Sequence, residues 1–527
     1  MKNWIYGLLL LGAGASITAC EGFLDKSPLG VETDQNFFND PTNAVLAVNS
    51  VYDVAAWDEG NGAPHNYEFM FGDILSDDAA KGSTPNDFID LVEMEQWRTT
   101  ATNGPVTGVW HNMHIGLFRA NTVIKNLPEA DLPEELKNRL MGEAKFLRGY
   151  FSFYLARIFG GIIIMNEPVK PSEFGNLQRS SLAESYAFIA QDFAEAAALL
   201  PAKGDYAAED LGRATQGAAW AYQARVHMFE AGLGMNGTTW QQVYDLTAKI
   251  VASGEYQLLA NYAELFEVEG ENSIESIFEV QTYETTETWG PIKTGTTGNI
   301  FQNNRSTWGW GFNNPTQDLV DAYESGDPRM PCTVYKDGDI VLGEAQVIEY
   351  PEANQTGYLN RKAAIESPST AKAAGQNIRK FRYADLLLMH AEAAYHLGNE
   401  AEAIMYVNMV RERALNATKP KGSTEGSMDY ASYGAGELDG VLEPLSGISG
   451  QDLLDAIYQE RRVELGMESI RYWDLVRTGR YMDMLPEADR AMAMSHSLTE
   501  GLTHPYPVLP IPVSEVESWG IAQNPNY

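Results

Sequence analysis

Apolar side chains recur at helical spacing through most of this chain, in long stretches that come in pairs, and this pattern points to a mainly α fold. Residues 136–160 place Ala144, Leu147, Phe151, Leu155 and Ile158 along one stripe, and Gly160-Gly161 ends it. Residues 181–200 repeat the pattern, with Ser180 or Ser181 as the N-cap and Pro201 just beyond the end. Residues 214–232 and 240–253 form one helical pair; 383–397 and 401–415 form another, joined by Gly398-Asn399. A further helix is expected over 451–467, with Leu453, Leu454, Ile457 and Tyr458 on one face.

In the pair over 383–415, small Ala391 lies 12 residues before small Ala403, and Val410 follows 7 later. Those offsets match the tight-packing positions of a tetratricopeptide repeat, where small side chains let antiparallel helices approach. The pair over 214–253 carries a longer insertion at 232–239, so a few degenerate repeats are expected in place of a regular solenoid. Two stretches break the pattern. Residues 262–365 are rich in Gly, Asn, Thr and Trp with short β-like runs such as 276–282, and 416–445 reads as a Gly/Ser-rich surface excursion.

The first 20 residues, MKNWIYGLLLLGAGASITAC, combine a basic Lys2 with an apolar run from Trp4 to Ile17 that is too short to span a bilayer. Ile17-Thr18-Ala19-Cys20 resembles a bacterial lipobox, which makes 1–19 a lipoprotein signal peptide and Cys20 the lipidation site. No later segment approaches 18 uninterrupted apolar residues.

Charge narrows the function. Acidic residues number 72 against 37 basic ones, a formal charge of −35 that repels phosphate backbones and argues against nucleic acid and polyanionic ligands. The two cysteines, Cys20 and Cys332, cannot build a disulfide framework or a four-thiolate zinc site, and Cys332 reads as an inert core thiol. No G-x-S-x-G elbow and no phosphate-binding loop occur. His111 and His114 flank no H-E-x-x-H base, His390 and His396 lack acidic residues at ligand spacing, and Asp337 and Asp339 read as a turn. Neither a catalytic group nor a metal or cofactor site is expected.

Trp289, Trp308 and Trp310 fall within 22 residues, in loop-like surroundings with Asn303, Asn304, Asn313 and Asn314. Flat rings in loops stack on the apolar faces of sugar rings, while amides bond the hydroxyls. The competing reading is that the rings cap the core. If the backbone at 308–310 is extended, Trp308 and Trp310 point the same way and could hold successive sugars.

Several motifs, in order, resemble the SusD/RagB family of Bacteroidetes across nearly the whole chain. They are Cys20-Glu21-Gly22-Phe23-Leu24-Asp25; Gly72-Asp73 through Ser76-Asp77-Asp78-Ala79; Trp110 to Arg119-Ala120-Asn121; and Glu143-Ala144-Lys145-Phe146-Leu147-Arg148. Asn314-Pro315-Thr316, Asp327-Pro328-Arg329, and Arg382-Tyr383-Ala384-Asp385 through Glu392 follow. The series closes with Glu460-Arg461-Arg462-Val463-Glu464-Leu465, Arg471-Tyr472-Trp473-Asp474 through Arg477, and the terminal Gln523-Asn524-Pro525-Asn526-Tyr527.

The resemblance implies a SusD-like fold: tetratricopeptide-like helical pairs as scaffold, mainly 40–255 and 380–485, and an irregular ligand-binding part, mainly 256–380, within one domain over 20–527. It implies a lipid-anchored, surface-exposed outer-membrane protein that binds a glycan and delivers it to a SusC-type TonB-dependent transporter for import; the acidic charge balance favours a neutral glycan. A surface glycosidase or a peptide-binding relative on the same transporter is the alternative. In this family the segment after the Gly-Asp pair lies near the ligand, which adds Asp77, Asp78 and Trp97 to the tryptophans as site candidates. Glu460, Arg461, Arg462 and Glu464 are expected to do structural work through pairs at i, i+3 or i+4.

Overall fold

The computed structural model describes residues 37–57, 67–284, 295–305, 308–345, 355–366 and 374–527. Helices dominate it. The long ones are α1 (Pro41–Ala55), α2 (Gly104–Asn126), α3 (Glu134–Phe159), α4 (Leu182–Leu199), α5 (Gln216–Leu233) and α6 (Trp240–Ser253). After the one-turn helix α7 (Gly298–Gln302) come α8 (Tyr383–His396), α9 (Glu400–Ala414), α10 (Gly450–Glu464) and α11 (Arg471–Arg477). Each expected helical stretch is present, shifted by a few residues at its ends.

Local chemistry accounts for the boundaries. Ser181 caps α4, accepting from the Glu184 amide at 3.2 Å while Glu184 reaches back to the Ser181 amide at 2.9 Å. Thr239 and Gln242 do the same for α6. Asp40 starts α1 by accepting from the amides of Thr42 and Asn43 at 2.8 and 3.1 Å, ahead of Pro41 at the first helical position. Gly398 makes the turn between α8 and α9 with φ +80°.

From α2 to α6 each helix packs on the next, α6 packs on α8, α8 on α9, and α10 closes against both. Ala391, Ala403 and Val410 are completely buried where α8 meets α9, as small residues at a close helical crossing must be. Sequence reading passed over α1 and α2. The α2 face is built for close approach: a Cβ on Gly116 would lie 2.5 Å from the Phe151 ring of α3.

Strands are short and come in antiparallel pairs. The longer ones are β1 (Ala79–Gly82) with β3 (Phe312–Pro315), β2 (Ser276–Val280) with β6 (Ile378–Arg382), and β4 (Val334–Lys336) with β5 (Tyr358–Asn360). The β1–β3 register sets Ala79 opposite Pro315 and Gly82 opposite Phe312. It ties the Gly-Asp segment to the tryptophan-bearing loop. Residues 416–445 hold no helix and only isolated bridges such as Lys419 with Ala431.

Candidate functional site

The charged motif residues converge on a buried network. Arg329 donates to Asp327, Glu460 and Glu464, and Arg382 donates to Glu275, Glu464 and Glu468. Arg413 joins Glu275 to Glu464, and Arg461 joins Asp385 to Asp474. Arg477 adds Asp474 and Glu392. The expected pairs along α10 do not form. Successive side chains leave the helix in different directions, and each meets a partner on another element.

Burial raises the Glu464 carboxyl, but Arg413, Arg382 and Arg329 more than reverse this and hold it at about 2. The same physics ties down two candidate ligand residues. Asp77 takes both oxygens to Arg471, at 2.7 and 2.8 Å, and Asp78 accepts from Arg462 Nε at 2.7 Å. Both carboxylates are buried, and their partners lie across the fold on α10 and α11. Trp97 is 0% exposed, with Nε1 donating to the Tyr481 hydroxyl at 2.5 Å and its ring against Tyr472 and Tyr481. It presents no face to a ligand. These three side chains hold the fold together.

Trp308 and Trp310 stay half-buried, packed on the core from the outside. Their backbone is a turn and not a strand. The amides of Gly309, Trp310 and Gly311 donate to the carbonyls of Asn304, Ile300 and Asn303 at 2.9, 2.6 and 2.8 Å, folding 308–311 back on α7. A Cβ at Gly309 would sit 1.9 Å from the Asn303 carbonyl oxygen, so glycine is what allows this approach. Two-residue alternation therefore does not orient these rings. Trp310 instead meets Phe301 edge-on at 4.5 Å, Phe301 contacts Tyr67 at 4.4 Å, and Tyr67 stacks on Phe69 at 5.2 Å.

The four asparagines around the tryptophans are inside. Asn303 donates to the carbonyls of Asn299 and Ala363, and Asn313 donates to Asp73 and Gln302. Asn304 and Asn314 are 5% and 0% exposed. Burial pushes the Asp73 carboxyl up to about 7, although it accepts from Asn313 and from the Ser469 amide. Trp289 and Cys20 lie outside the described residues.

On the opposite face of α7 opens a cleft of 170 Å³. Asn299 and Gln302 of α7 form one side; Trp57, Tyr67 and Tyr150 supply rings; Asn360, Gln376 and Asn377 supply amides. Four of its five charges pair with one another, and the fifth, Arg379, lies 3.9 Å from Glu271 and 4.0 Å from Glu279, which stand outside the lining. Lys380 and Arg157 grip Glu68 at 2.5 and 3.2 Å, and Lys362 meets Glu468 at 2.7 Å. Burial raises Glu68, yet those two cations bring it below the usual carboxylate range. The amides are already oriented: Asn299 donates to the Ala363 carbonyl at 2.8 Å and to Gln376 at 2.5 Å, and Gln302 accepts from Asn360 at 2.8 Å. Asn299 Oδ1 is buried without a partner among the described residues. Aromatic walls and fixed amides suit a polyhydroxylated ligand. Sequence reasoning missed this cleft, because its lining comes from segments far apart in the chain and no local spacing marks it.

Among the described residues, no cluster of three or more His, Cys, Asp or Glu side chains could hold a metal ion. His114 bonds the Trp110 carbonyl at 2.8 Å, and burial lowers it to about 4. Cys332 is buried, which pushes its thiol up to about 12. No described helix is long and apolar enough to cross a membrane.

Two family sequence profiles match the chain in succession. The one described as starch-binding associating with outer membrane covers residues 23–228, and the one described as SusD family covers 274–527. A SusD-like protein of Formosa agariphila is 24% identical, with 95% of this chain and 94% of the relative aligned. Among solved structures, a laminarin-binding SusD-like protein is 27% identical with a TM-score of 0.71, over 92% of this chain and 99% of the other. Surface glycan-binding protein A from Bacteroides fluxus is 25% identical with a TM-score of 0.74, over the same shares of 92% and 99%. The two profiles in succession and the helical scaffold agree: the chain belongs to the SusD family.

Proposed function

We propose that this protein captures a neutral poly- or oligosaccharide at the cell surface, without cleaving it, and delivers it to a SusC-type TonB-dependent transporter. The lipid on Cys20 is the anchor in this reading. Residues 20–527 act as one unit in which the helices present the irregular part over 256–380. One observation carries the reading: a turn with two half-open tryptophans, Trp308 and Trp310, joins through Phe301 and Tyr67 to a cleft lined by fixed amides. Rings on the turn stack on sugar faces, and the cleft takes a sugar through hydrogen bonds. The laminarin-binding relative supports a glycan ligand. The formal charge of −35 disfavours acidic polymers. Trp289 remains a proposed contributor to the same platform.

The test is binding of the purified protein to laminarin, starch and xylan by affinity electrophoresis and calorimetry, with new reducing ends measured in parallel. By analogy with base–aromatic stacking, each platform ring contributes about 1–3 kcal/mol. The Trp308→Ala/Trp310→Ala double variant is thus expected to lose measurable binding of a weak glycan while keeping a native circular-dichroism spectrum. Retained affinity in the folded double variant removes these rings from the site, and new reducing ends would make the protein a glycosidase.

A further inference from the structure

A second opening, lined by residues of α1, the turn at 209–213 and the end of β2, has a volume of 380 Å³ and shares only Ala55 with the first cleft. Two of the most exposed apolar side chains of the described protein border it: Tyr283, 74% exposed, and Leu211, 51% exposed. Its shape is built and not incidental. Gly212 has φ +92°, and a Cβ there would fall 2.4 Å from the Gln281 side chain, so only glycine lets the turn lie against the strand end. Gln281 is itself fixed by reciprocal bonds with Asn272 at 2.8 and 3.0 Å.

The polar groups here differ from those of the first cleft. Asn49, Glu209 and the Tyr283 hydroxyl make no hydrogen bond or ion pair among the described residues, and Thr282 Oγ1 is buried without a partner. The cations are engaged elsewhere: Arg213 holds Asp210 at 2.6 Å and Glu143 at 2.9 Å, and Arg119 holds Asp53 at 3.1 Å. Among the described residues, no free cation lines the groove to attract an acidic sugar. An exposed flat ring, an apolar neighbour, one free amide and one free carboxylate form a compact set. They match the stacking face and adjacent hydroxyls of a pyranose.

We infer that this groove is a second saccharide-binding site, taking a neutral pyranose of the same glycan and sharing no residue with the Trp308–Trp310 turn. The inference rests on the glycan-binding reading above. Two sites on one chain would raise affinity for a polymer long enough to reach both, with no new contact at either.

Calorimetry with laminarihexaose and maltohexaose tests it, alongside the parent polymers. Whichever hexasaccharide binds should bind the wild type at two sites per chain. Tyr283→Ala, at a position that carries no core packing, should leave one site, and Glu209→Gln should weaken that same site tenfold or more. The Trp308→Ala/Trp310→Ala variant should keep the groove site. A wild-type stoichiometry of one that Tyr283→Ala leaves unchanged overturns the groove alone. Failure of the wild type to bind any of these glycans overturns the glycan reading, and the groove proposal with it.

Discussion

Glu464→Gln removes one charge from the centre of the buried network and turns one of the two oxygens shared by Arg329, Arg382 and Arg413 into an NH2 group that cannot accept from them. The side chain is 0% exposed, so solvent does not screen the loss. Holding the carboxyl at about 2 instead of 4.5 favours the folded state by about 3 kcal/mol at neutral pH. That agrees with the range of about 3–5 kcal/mol for removing one partner of a buried ion pair. Unfolding entropy of about 2.1 cal/mol/K per residue over 527 residues gives about 1.1 kcal/mol/K, so Tm should fall by about 3 °C. The folded carboxyl is depressed, so its contribution is complete above about pH 4.5 and is lost as pH falls toward 2. Thermal melts of both proteins from pH 7 to pH 3.5 should therefore show a gap that is full at neutral pH and begins to close below pH 4.5. Equal melting at pH 7, or a gap that does not narrow on acidification, refutes the reasoning. Glycan affinity at neutral pH should not change.

Arg461→Ala exposes Asp385 and Asp474 to each other across the site it bridged, and Arg462→Ala frees Asp78; both should lower Tm by several degrees and leave the order of glycan preferences intact, as read by melting and by affinity electrophoresis. Gly309→Ala must push the turn off the Asn303 carbonyl, so glycan affinity should fall severalfold with Tm nearly unchanged; unaltered affinity would separate the turn from the site. Cys20→Ala should move the protein from the detergent to the aqueous phase in a phase-partition assay, whereas retention in detergent would mean that the membrane association has another source.

The helical scaffold is legible in the sequence because each helix signals itself locally. Apolar stripes at 3.6-residue spacing, the Ser181–Glu184 box and the Gly398 turn need no information from elsewhere in the chain. Helix α2 carries the same local signal, with Val106, Val109, Trp110, Met113, Leu117, Ala120 and Val123 along its buried face, so it was legible although sequence reading passed over it. The tryptophans at 308 and 310 stand out by composition, but the direction of their rings depends on hydrogen bonds from 309–311 back to 300–304, which make the segment a turn and remove the alternation an extended backbone would have given. The network shows the limit most clearly. From the sequence, Glu464 has arginines at i−2 and i−3, and neither becomes its partner. Its partners are Arg413, Arg382 and Arg329, separated from it by 51, 82 and 135 positions. Asp77, Asp78 and Trp97 look available in the sequence and are enclosed in the fold; the cleft beside α7 is invisible in the sequence and is assembled from distant segments. Spacing along a chain determines which face of a helix is apolar. Which charge neutralises which, and which ring remains open to a ligand, is settled only when those faces close on one another and burial makes every unpaired charge costly.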